Sequence, residues 1–267
     1  MIMRLRGIIK HFLHGSKWMY SGGFPYFTQE IFFPRGSQLF DRVCDEGVFE
    51  YDTVRLLRSL ASPGTTYFDV GANIGLLAVP VLQSNAEVHV ISIEASPDTI
   101  GYLRRTQQNS SFRDRWSIVE CAVGSAQQSV RFFVSAPKNG AYDGLRDTGR
   151  GDAKRDVTVE MRTLDSIWRD AGMPTVSVVK IDVEGGESEV LLGASSLISR
   201  DRPALIIEWN EVNLKAYGIE PDYLLRLCDE LGYFVQEVPK MYRIDREELL
   251  KIAMSETETF LLLPNKA

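Results

Sequence analysis

The sequence predicts an α/β fold in which a mostly parallel sheet carries helices on both faces. After residue 60, short runs rich in β-branched and aromatic residues alternate with amphipathic stretches of helical period. The strand-like runs are almost continuously apolar, which is typical of strands buried on both faces of a sheet. The chain has 267 residues, of which 44% are hydrophobic and 25% are charged. This length is sufficient for one large domain of this class with additional segments.

Five apolar runs are the predicted parallel strands, and helical patterns follow most of them. The strands are expected at residues 66–70, 88–94, 117–123, 176–183 and 204–209. The helices are expected in IGLLAVPVLQS, SPDTIGYLRRTQQN, ESEVLLGASSLIS and PDYLLRLCDELG. Two later β-like runs, YFVQEV and ETFLLLP, have no strong helical crossover after them. We therefore expect these two runs to close the far edge of the sheet, with one of them antiparallel.

Two segments fall outside this alternation. Residues 1–50 are interpreted as an N-terminal cap on a main domain over residues 51–267, with a helix near the start and a strand pair around YFTQEIFF. Asp52 is the predicted N-cap of the helix that follows this segment. A hairpin is predicted from SVRFFVS and DVTVEMR, and the polar, glycine-rich residues 135–156 lie in its loop. We interpret this loop, with Asn139, Tyr142 and Asp143, as a lid over the acceptor site.

Composition argues against several functional classes. The net charge of −6 and the isoelectric point near 5.3 argue against a general nucleic-acid-binding protein. Cys44, Cys121 and Cys228 are far apart, so we predict neither a disulfide framework nor a zinc site and expect a cytoplasmic location. No apolar run has the length of a membrane-spanning helix. Residues 1–20 are basic, and a weak contact with a membrane surface is the alternative to their packing on the domain.

The stretch YFDVGANIGLLA, residues 67–78, is typical of a strand that turns into a helix beside a nucleotide-like ligand. Asn73 occupies the place of the second glycine of a dinucleotide fingerprint, and Asp69 would repel a phosphate group. S-adenosylmethionine has no phosphate, and its amino-acid end carries an ammonium group beside a sulfonium ion. Asp69 is suited to that cationic end, and the backbone N–H groups from Gly71 to Gly75 are expected to bind its carboxylate. S-adenosylmethionine is therefore the predicted cofactor.

Further cofactor contacts are predicted at the ends of the second and third strands. Glu94 lies about twenty residues after the glycine turn, where an acceptor for ribose hydroxyl groups is expected. Ser96 is either a contact or a helix N-cap, and Cys121 is either a contact or a buried structural cysteine. The predicted cofactor-binding residues from the turn and the strand ends are Asp69, Gly71, Ala72, Asn73, Gly75, Glu94, Ser96, Glu120, Cys121 and Ala122.

The motifs DVGANIG, IEASP, ECAVGS, TLDSI and KIDVEGGE occur in this order between about residue 47 and about residue 238. In this order and at these separations they resemble the FkbM-type methyltransferases. The resemblance implies a Rossmann-like class I methyltransferase fold with seven strands, the last of them antiparallel. It also implies S-adenosylmethionine-dependent methylation of hydroxyl groups, often on sugars or secondary metabolites. Through the same resemblance Glu50 is a cofactor contact, with a charge on the first turn of a helix as the alternative.

Carboxylates are the predicted catalytic groups. Members of the family often carry a histidine after the acid of the fifth strand, where this chain has Glu208-Trp209-Asn210. Asp182, at the end of the fourth strand and on one strand face with Lys180, is the first candidate for the base; a helix cap is the alternative for Asp182 and for Glu184. Glu208 is expected to orient the substrate or to share the proton. Binding of a divalent cation by Asp182, Glu208 and Asp165 is the less favoured alternative, because Asp165 fits a helix N-cap, and no metal is predicted.

Two other functions are compatible with the same sequence features. An NAD-dependent oxidoreductase would retain Glu94 and the glycine turn, but it would not explain Asp69 and Asn73, and the chain has no Tyr-x-x-x-Lys pair. A non-catalytic cofactor-binding protein is the second alternative. Among methyltransferases, transfer to nitrogen or to a carboxylate also stays open, because the cofactor site is common to all of them. The predicted partner is a small-molecule acceptor, and the sequence predicts no oligomeric state.

Overall fold

The computed structural model describes residues 22–34, 36–135, 142–151 and 155–265. The helix predicted near the start of the chain, with its alternative membrane contact, lies outside these described residues, and so does Asn139 of the predicted lid. Across the residues that are described, no helix combines the length and the hydrophobicity that crossing a membrane requires.

Strands and helices alternate along much of the chain, as the sequence predicts. The strands are β1 (Gly23–Tyr26), β2 (Gln29–Phe32), β3 (Thr66–Val70), β4 (His89–Glu94), β5 (Trp116–Glu120), β6 (Ala122–Val123), β7 (Gln128–Val134), β8 (Arg155–Arg162), β9 (Val176–Ile181), β10 (Ala204–Glu208), β11 (Tyr233–Glu237), β12 (Arg243–Ile244) and β13 (Thr259–Pro264). The helices are α1 (Gln38–Glu46), α2 (Tyr51–Leu60), α3 (Ala78–Ser84), α4 (Ile100–Asn109), α5 (Leu164–Asp170), α6 (Glu187–Leu192), α7 (Ser195–Asp201), α8 (Glu211–Tyr217), α9 (Tyr223–Leu231) and α10 (Glu247–Met254).

An eight-stranded sheet in the order β12-β11-β13-β10-β9-β3-β4-β5 forms the centre of the fold. The pairs from β5 through β10 are parallel, whereas β13 is antiparallel to both of its neighbours, β10 and β11. The expectation that the two late β-like runs close the far edge, one of them antiparallel, is therefore confirmed. The sheet contains the seven strands that the resemblance implied. The short strand β12 adds an eighth at the edge, which the sequence analysis did not predict.

The sheet is buried on both faces. In β3, Tyr67 belongs to one hydrophobic core and Phe68 to the other, because successive side chains of a strand point to opposite faces. Both side chains have no measurable exposure to solvent. The alternation of buried residues between two cores explains why these strands read as continuous apolar runs in the sequence.

The N-terminal hairpin of β1 and β2 packs on the main sheet's helices. Phe24, Phe33 and Phe40 contact one another edge to face with ring centroids 5.5–6.2 Å apart. The backbone N–H of Phe32 donates to the hydroxyl group of Thr106 in α4 at 3.2 Å. The three rings pack the N-terminal segment internally, and the hydrogen bond to Thr106 attaches it to the main domain. The strand pair predicted around YFTQEIFF is present.

The predicted strand at 117–123 is wrong as a single strand. After Glu120 the chain leaves the main sheet, and β6 pairs instead with β8 in a three-stranded sheet of order β6-β8-β7. Cys121 lies at the break between the two sheets. The hairpin predicted from SVRFFVS and DVTVEMR is confirmed, because all of β7 pairs antiparallel with residues 155–161 of β8.

Three helix predictions also differ from the structure. The helix after the glycine turn begins at Ala78 rather than at Ile74, because the turn, with Asn73 at a φ of 49°, extends further along the chain. The helix predicted over ESEVLLGASSLIS is divided at Gly193, where a Cβ atom would lie 2.1 Å from the carbonyl oxygen of Gly124. Asp52 is not a cap, since it lies in the first turn of α2 and Glu50 occupies the N-cap position without a capping side-chain bond.

Candidate functional site

A cavity opens at the carboxyl ends of β3, β4 and β9. Here the strand order reverses, because β4 and β5 lie on one side of β3 and β9 and β10 lie on the other. It encloses about 890 Å³, including its open mouth. Of the residues predicted from the sequence, Asp69, Gly71, Ala72, Asn73, Glu94, Cys121, Ala122 and Asp182 line it. Gly75, Ser96, Glu120, Glu50 and Glu208 are not among its lining residues. The position is the one expected for a ligand in an open α/β sheet.

The glycine turn packs directly on the end of β9. Gly71 has a φ of +81°, and a Cβ atom there would lie 1.7 Å from the carbonyl oxygen of Asp182. Only glycine fits such a close approach of two backbone segments. The turn is thereby fixed, as one wall of the cavity, against the strand that precedes Asp182.

The backbone N–H groups of the turn have partners within the chain. The N–H groups of Gly71 and Ala72 both donate to the carbonyl oxygen of Ile93 at 3.0 Å, and that of Asn73 donates to a Glu94 oxygen at 2.7 Å. The N–H of Gly75 donates to the carbonyl oxygen of Ala72 at 2.9 Å. These four N–H groups are therefore engaged within the chain, because the turn folds back onto the end of β4, and binding of a ligand carboxylate by the turn stays a prediction.

Asp69 presents a buried carboxylate to the cavity. The hydroxyl group of Tyr67 donates to its Oδ1 at 2.8 Å, whereas its Oδ2 is buried and has no hydrogen-bond partner among the described residues. Burial raises the pKa of Asp69 to about 6, although the ammonium group of Lys180 on the neighbouring strand opposes this rise. A buried oxygen without a partner is costly in an empty site, and a cationic ligand would satisfy it.

Glu94, at the end of β4, also contacts the glycine turn. Its two carboxylate oxygens accept hydrogen bonds from the N–H groups of Asn73 and Ser96, each at 2.7 Å. Burial raises the pKa of Glu94 to about 7, against the effect of these hydrogen bonds. The Ser96 hydroxyl group donates to Asp143 at 2.6 Å, so it does not act as the helix N-cap that was its alternative role.

The residues at the end of β5 differ in their environments. Glu120 is exposed, and its carboxylate is 2.6 Å from the guanidinium group of Arg104, away from the cavity. Cys121 is buried, and burial raises the pKa of its thiol to about 12. It therefore stays a neutral, apolar part of the cavity wall, together with Ala122.

Carboxyl groups of Asp182, Glu184 and Glu208 meet at the ends of β9 and β10, with one oxygen of each within 4.8 Å of the others. Two cations accompany them. The Nζ atom of Lys180 lies 2.6 Å from Asp182, and the guanidinium group of Arg150 lies 3.3 Å from Glu184 and 3.6 Å from Glu208. We refer to these five residues as the carboxylate cluster.

The three carboxyl groups of the carboxylate cluster differ in pKa. Burial alone would raise the pKa of Asp182, but the nearby Lys180 ammonium and a hydrogen bond with Glu208 lower it below its ordinary value. Burial and the charge of Asp182 raise the pKa of Glu208 well above its ordinary value and that of Glu184 to about 8. Asp182 is therefore the most readily ionised of the three carboxyl groups, and Glu208 retains its proton to a higher pH than an ordinary glutamate.

The cluster is not the set of metal ligands considered from the sequence. Both oxygens of Asp165 accept hydrogen bonds from backbone N–H groups at the start of α7, those of Ser196 and Leu197, at 2.9 Å. Asp165 therefore caps α7 and not its own helix α5, whose N-cap is Thr163. In the cluster itself, a divalent cation would compete with two side-chain cations that are already paired.

Several contacts of the site were not predicted from the sequence. Lys180 is 3% exposed, and a lysine within a run of valines signals a buried ion pair. Glu50 is close enough to Lys180 to raise the pKa of that lysine, although it does not line the cavity. Arg150 and Asp143 come from the insertion between β7 and β8, and no sequence periodicity indicated their positions. Asn213 in α8 donates to Glu184 at 3.0 Å.

Comparison with known proteins identifies the family of this chain. A family model described as the methyltransferase FkbM domain matches residues 69–240, which is well over half of the chain. The chain belongs to the FkbM methyltransferase family. This membership confirms the resemblance, and the strand order described above is that of a Rossmann-like class I methyltransferase. The matched region includes the glycine turn, Glu94 and the carboxylate cluster.

The named relatives of this FkbM-family protein described below share less than a third of their aligned residues with it. It is 27% identical to the hexuronic acid methyltransferase AglP of Haloferax volcanii over 194 residues, 73% of each chain. It is 23% identical to the 2-O-methyltransferase NoeI of Sinorhizobium fredii over 163 residues, 55% of this chain and 65% of that protein. A crystal structure of methyltransferase FkbM from Methylobacillus flagellatus KT has a TM-score of 0.47 and 18% identity, and the match covers 79% of this chain and 50% of that one. The chain thus spans half the length of that solved protein.

The buried carboxyl groups of the FkbM-family site make the stability of the ligand-free protein depend on pH. Burial raises the pKa of Asp69 to about 6 and that of Glu94 to about 7, so the folded protein retains protons that the unfolded chain releases above about pH 4. This contribution to stability is present in full below about pH 4 and is lost as the pH rises through about 6 to 7. We expect the Tm, measured by differential scanning fluorimetry, to fall between pH 5 and pH 8.

Two variants test whether the fall of Tm with pH arises from the buried carboxyl groups of the site. Glu94→Gln, which cannot ionise, should reduce the fall of Tm between pH 5 and pH 8. Glu211→Gln, at an exposed glutamate in the first turn of α8, should leave the fall unchanged. A Tm that rises over this pH range in the wild type, or the same fall in Glu94→Gln as in the wild type, would contradict the prediction.

Proposed function

We propose that this FkbM-family methyltransferase transfers a methyl group from S-adenosylmethionine to a hydroxyl group of a sugar or a secondary metabolite. The observation that carries the cofactor assignment is the carboxylate of Asp69, a residue that lines the cavity and whose buried Oδ2 has no hydrogen-bond partner among the described residues. A phosphate-bearing nucleotide would bring negative charge to this oxygen, whereas an ammonium or sulfonium group would stabilise it.

The cavity residues fit the parts of this cofactor. Asp69 is placed to bind the cationic amino-acid end. Glu94 retains acceptor capacity for ribose hydroxyl groups, because each carboxylate oxygen accepts more than one hydrogen bond. Val123 and Phe132 give the far wall an apolar surface suited to adenine. S-adenosylmethionine, when bound, supplies a methyl group on a sulfonium ion, which is a good leaving group.

The carboxylate cluster supports a hydroxyl acceptor. In our proposal, ionised Asp182 accepts the hydrogen bond of the acceptor hydroxyl group and takes its proton as the oxygen–carbon bond forms. Protonated Glu208 donates a hydrogen bond to the acceptor or to Asp182 and thereby positions the reacting oxygen. The hexuronic acid methyltransferase and the 2-O-methyltransferase among the relatives support a sugar hydroxyl group as the acceptor.

The cytoplasmic location is also a proposal. Cys44, Cys121 and Cys228 are buried and form no disulfide with one another, which fits a reducing compartment. Fractionation of cells that produce the chain, followed by detection with an antibody, would test it. Recovery in an extracellular or membrane fraction would contradict it.

The proposed function is tested first by cofactor binding and then by transfer. Isothermal titration calorimetry with S-adenosylmethionine, S-adenosylhomocysteine and NAD should show binding of the first two and not of NAD. Labelled S-adenosylmethionine is then incubated with a panel of hydroxylated sugars and natural products, and the products are analysed by mass spectrometry. Binding of NAD alone would contradict the cofactor, and methylation of amines without methylation of hydroxyl groups would contradict the acceptor class.

A further inference from the structure

The insertion between β7 and β8 contributes to the cofactor end of the cavity. Asp143 and Leu145 line the same cavity as Asn73 and Glu94. The sequence predicts that Asp143 belongs to a lid over the acceptor site. In the structure it is hydrogen-bonded to Ser96, close to the acid at the end of β4.

Asp143 is held in a defined position. Its Oδ2 accepts a hydrogen bond from the hydroxyl group of Ser96, and its Oδ1 accepts one from the backbone N–H of Ser135, both at 2.6 Å. The next residue, Gly144, forms an antiparallel bridge with Phe133 of β7, with N–H to oxygen distances of 2.8 and 3.1 Å. The carboxyl group is thus supported by a strand of the fold and not by a loop alone.

The position of Asp143 beside Glu94 is unfavourable without a ligand. Burial raises the pKa of Glu94, and the charge of Asp143 raises it further. Burial also raises the pKa of Asp143. Two carboxyl groups in one cavity wall repel each other when both are ionised, and a ligand that donates hydrogen bonds to both removes this cost. Asp143 keeps acceptor capacity for such a donor, because each of its oxygens accepts one bond from the described residues.

We propose that Asp143 is a cofactor-binding residue that accepts a hydrogen bond from the adenosine part of S-adenosylmethionine. The donor is a ribose hydroxyl group or the exocyclic amine of adenine, which share this hydrogen-bonding chemistry. This inference rests on the proposed function, since it assumes that the cavity binds this cofactor. It assigns to the insertion a part in cofactor recognition in addition to any contact with the acceptor.

The first test compares the affinity of variants for S-adenosylhomocysteine by isothermal titration calorimetry. Asp143→Ala should weaken binding about tenfold or more, and Asp143→Asn, which retains one acceptor oxygen, should weaken it less. Asp156→Ala is the matched control, because Asp156 is an exposed aspartate at the start of β8 that pairs with Arg131 at 3.1 Å. It should bind like the wild type. Circular dichroism of each variant checks that the fold is retained.

A second test separates direct contact from support of the loop. S-inosylhomocysteine lacks the exocyclic amine, and 2′-deoxy and 3′-deoxy analogues of S-adenosylhomocysteine each lack one hydroxyl group. If Asp143 contacts the ligand, the loss caused by Asp143→Ala should disappear for the analogue that lacks its donor. An equal loss with all ligands would overturn the inference, because it would mean that Asp143 only attaches the insertion to Ser96.

The outcomes also distinguish this inference from the proposed function. If the wild type binds no S-adenosylhomocysteine, the proposed function fails and the inference fails with it. If the wild type binds and Asp143→Ala binds equally well, only the role of Asp143 is wrong.

Discussion

Replacing Gly71 with alanine is expected to abolish cofactor binding and to reduce the free energy of unfolding by more than about 4 kcal/mol. The added Cβ atom would lie 1.7 Å from the carbonyl oxygen of Asp182, in a backbone conformation with a φ of +81°. Neither the turn nor β9 can move without disturbing the buried residues on both sides of the sheet, so the clash cannot be relieved locally. Urea denaturation and calorimetric titration with S-adenosylhomocysteine measure the two effects.

Gly64→Ala is the matched control for this prediction. Gly64 also has a positive φ, +72°, but a Cβ atom there would have no neighbour within 4 Å. It should therefore show only the backbone cost of that conformation, about 1–2 kcal/mol, and should bind the cofactor normally. If Gly71→Ala were no less stable than Gly64→Ala, the close approach of the turn to β9 would not be a constraint on this fold.

The second large effect is expected on turnover. Asp182→Ala should retain cofactor binding and lower kcat by about 10²- to 10⁴-fold, the range typical of the loss of a general base. The pKa of Asp182 is low, yet the group is sufficient as a base, because the acceptor oxygen becomes strongly acidic as it takes the methyl group. Lys180, which loses its closest partner in this variant, retains Glu50 and Glu208 nearby. The measurement is methyl transfer to the acceptor identified in the screen, together with titration of S-adenosylhomocysteine.

Glu258→Gln is the control for Asp182. Glu258 pairs with Arg150 at 3.4 Å, but its side chain is 47% exposed and stands at the outer edge of the carboxylate cluster. Removing its charge should leave kcat within a few-fold of the wild type, since screened surface pairs contribute little. Full activity of Asp182→Ala would exclude this aspartate as the base. A similar loss in both variants would indicate a general effect of charge around Arg150.

Much of the fold was predictable because buried parallel strands have a simple pattern. The predicted strand at 66–70 coincides with β3, and β9 and β10 lie within the predicted runs. The division between β5 and β6 was not predictable, because SIVECAV has the composition of one continuous strand and a change of partner sheet leaves no mark in hydropathy. Short helices such as α8 were missed for a related reason, since Glu211–Tyr217 is too brief to establish a helical period.

The site was predictable where its residues end strands. Asp69, Glu94 and Asp182 are acids that follow apolar runs, and parallel strands bring such ends to one edge of a sheet. Arg150 and Asp143 belong to an aperiodic insertion, so their approach to the cavity depends on tertiary contacts that a single sequence does not show. The internal hydrogen bonds of the turn were unexpected for a similar reason, because they depend on the distance between the turn and the end of β4.

The path of residues 142–151 has a consequence for engineering this enzyme class. Near one end of this range Asp143 is hydrogen-bonded to Ser96, and near the other end Arg150 is paired with Glu184. A chimera that exchanges this insertion between relatives to alter acceptor choice would therefore replace contacts at both ends at once. Modular grafting should keep the Asp143 end native and vary only the portion that approaches Arg150.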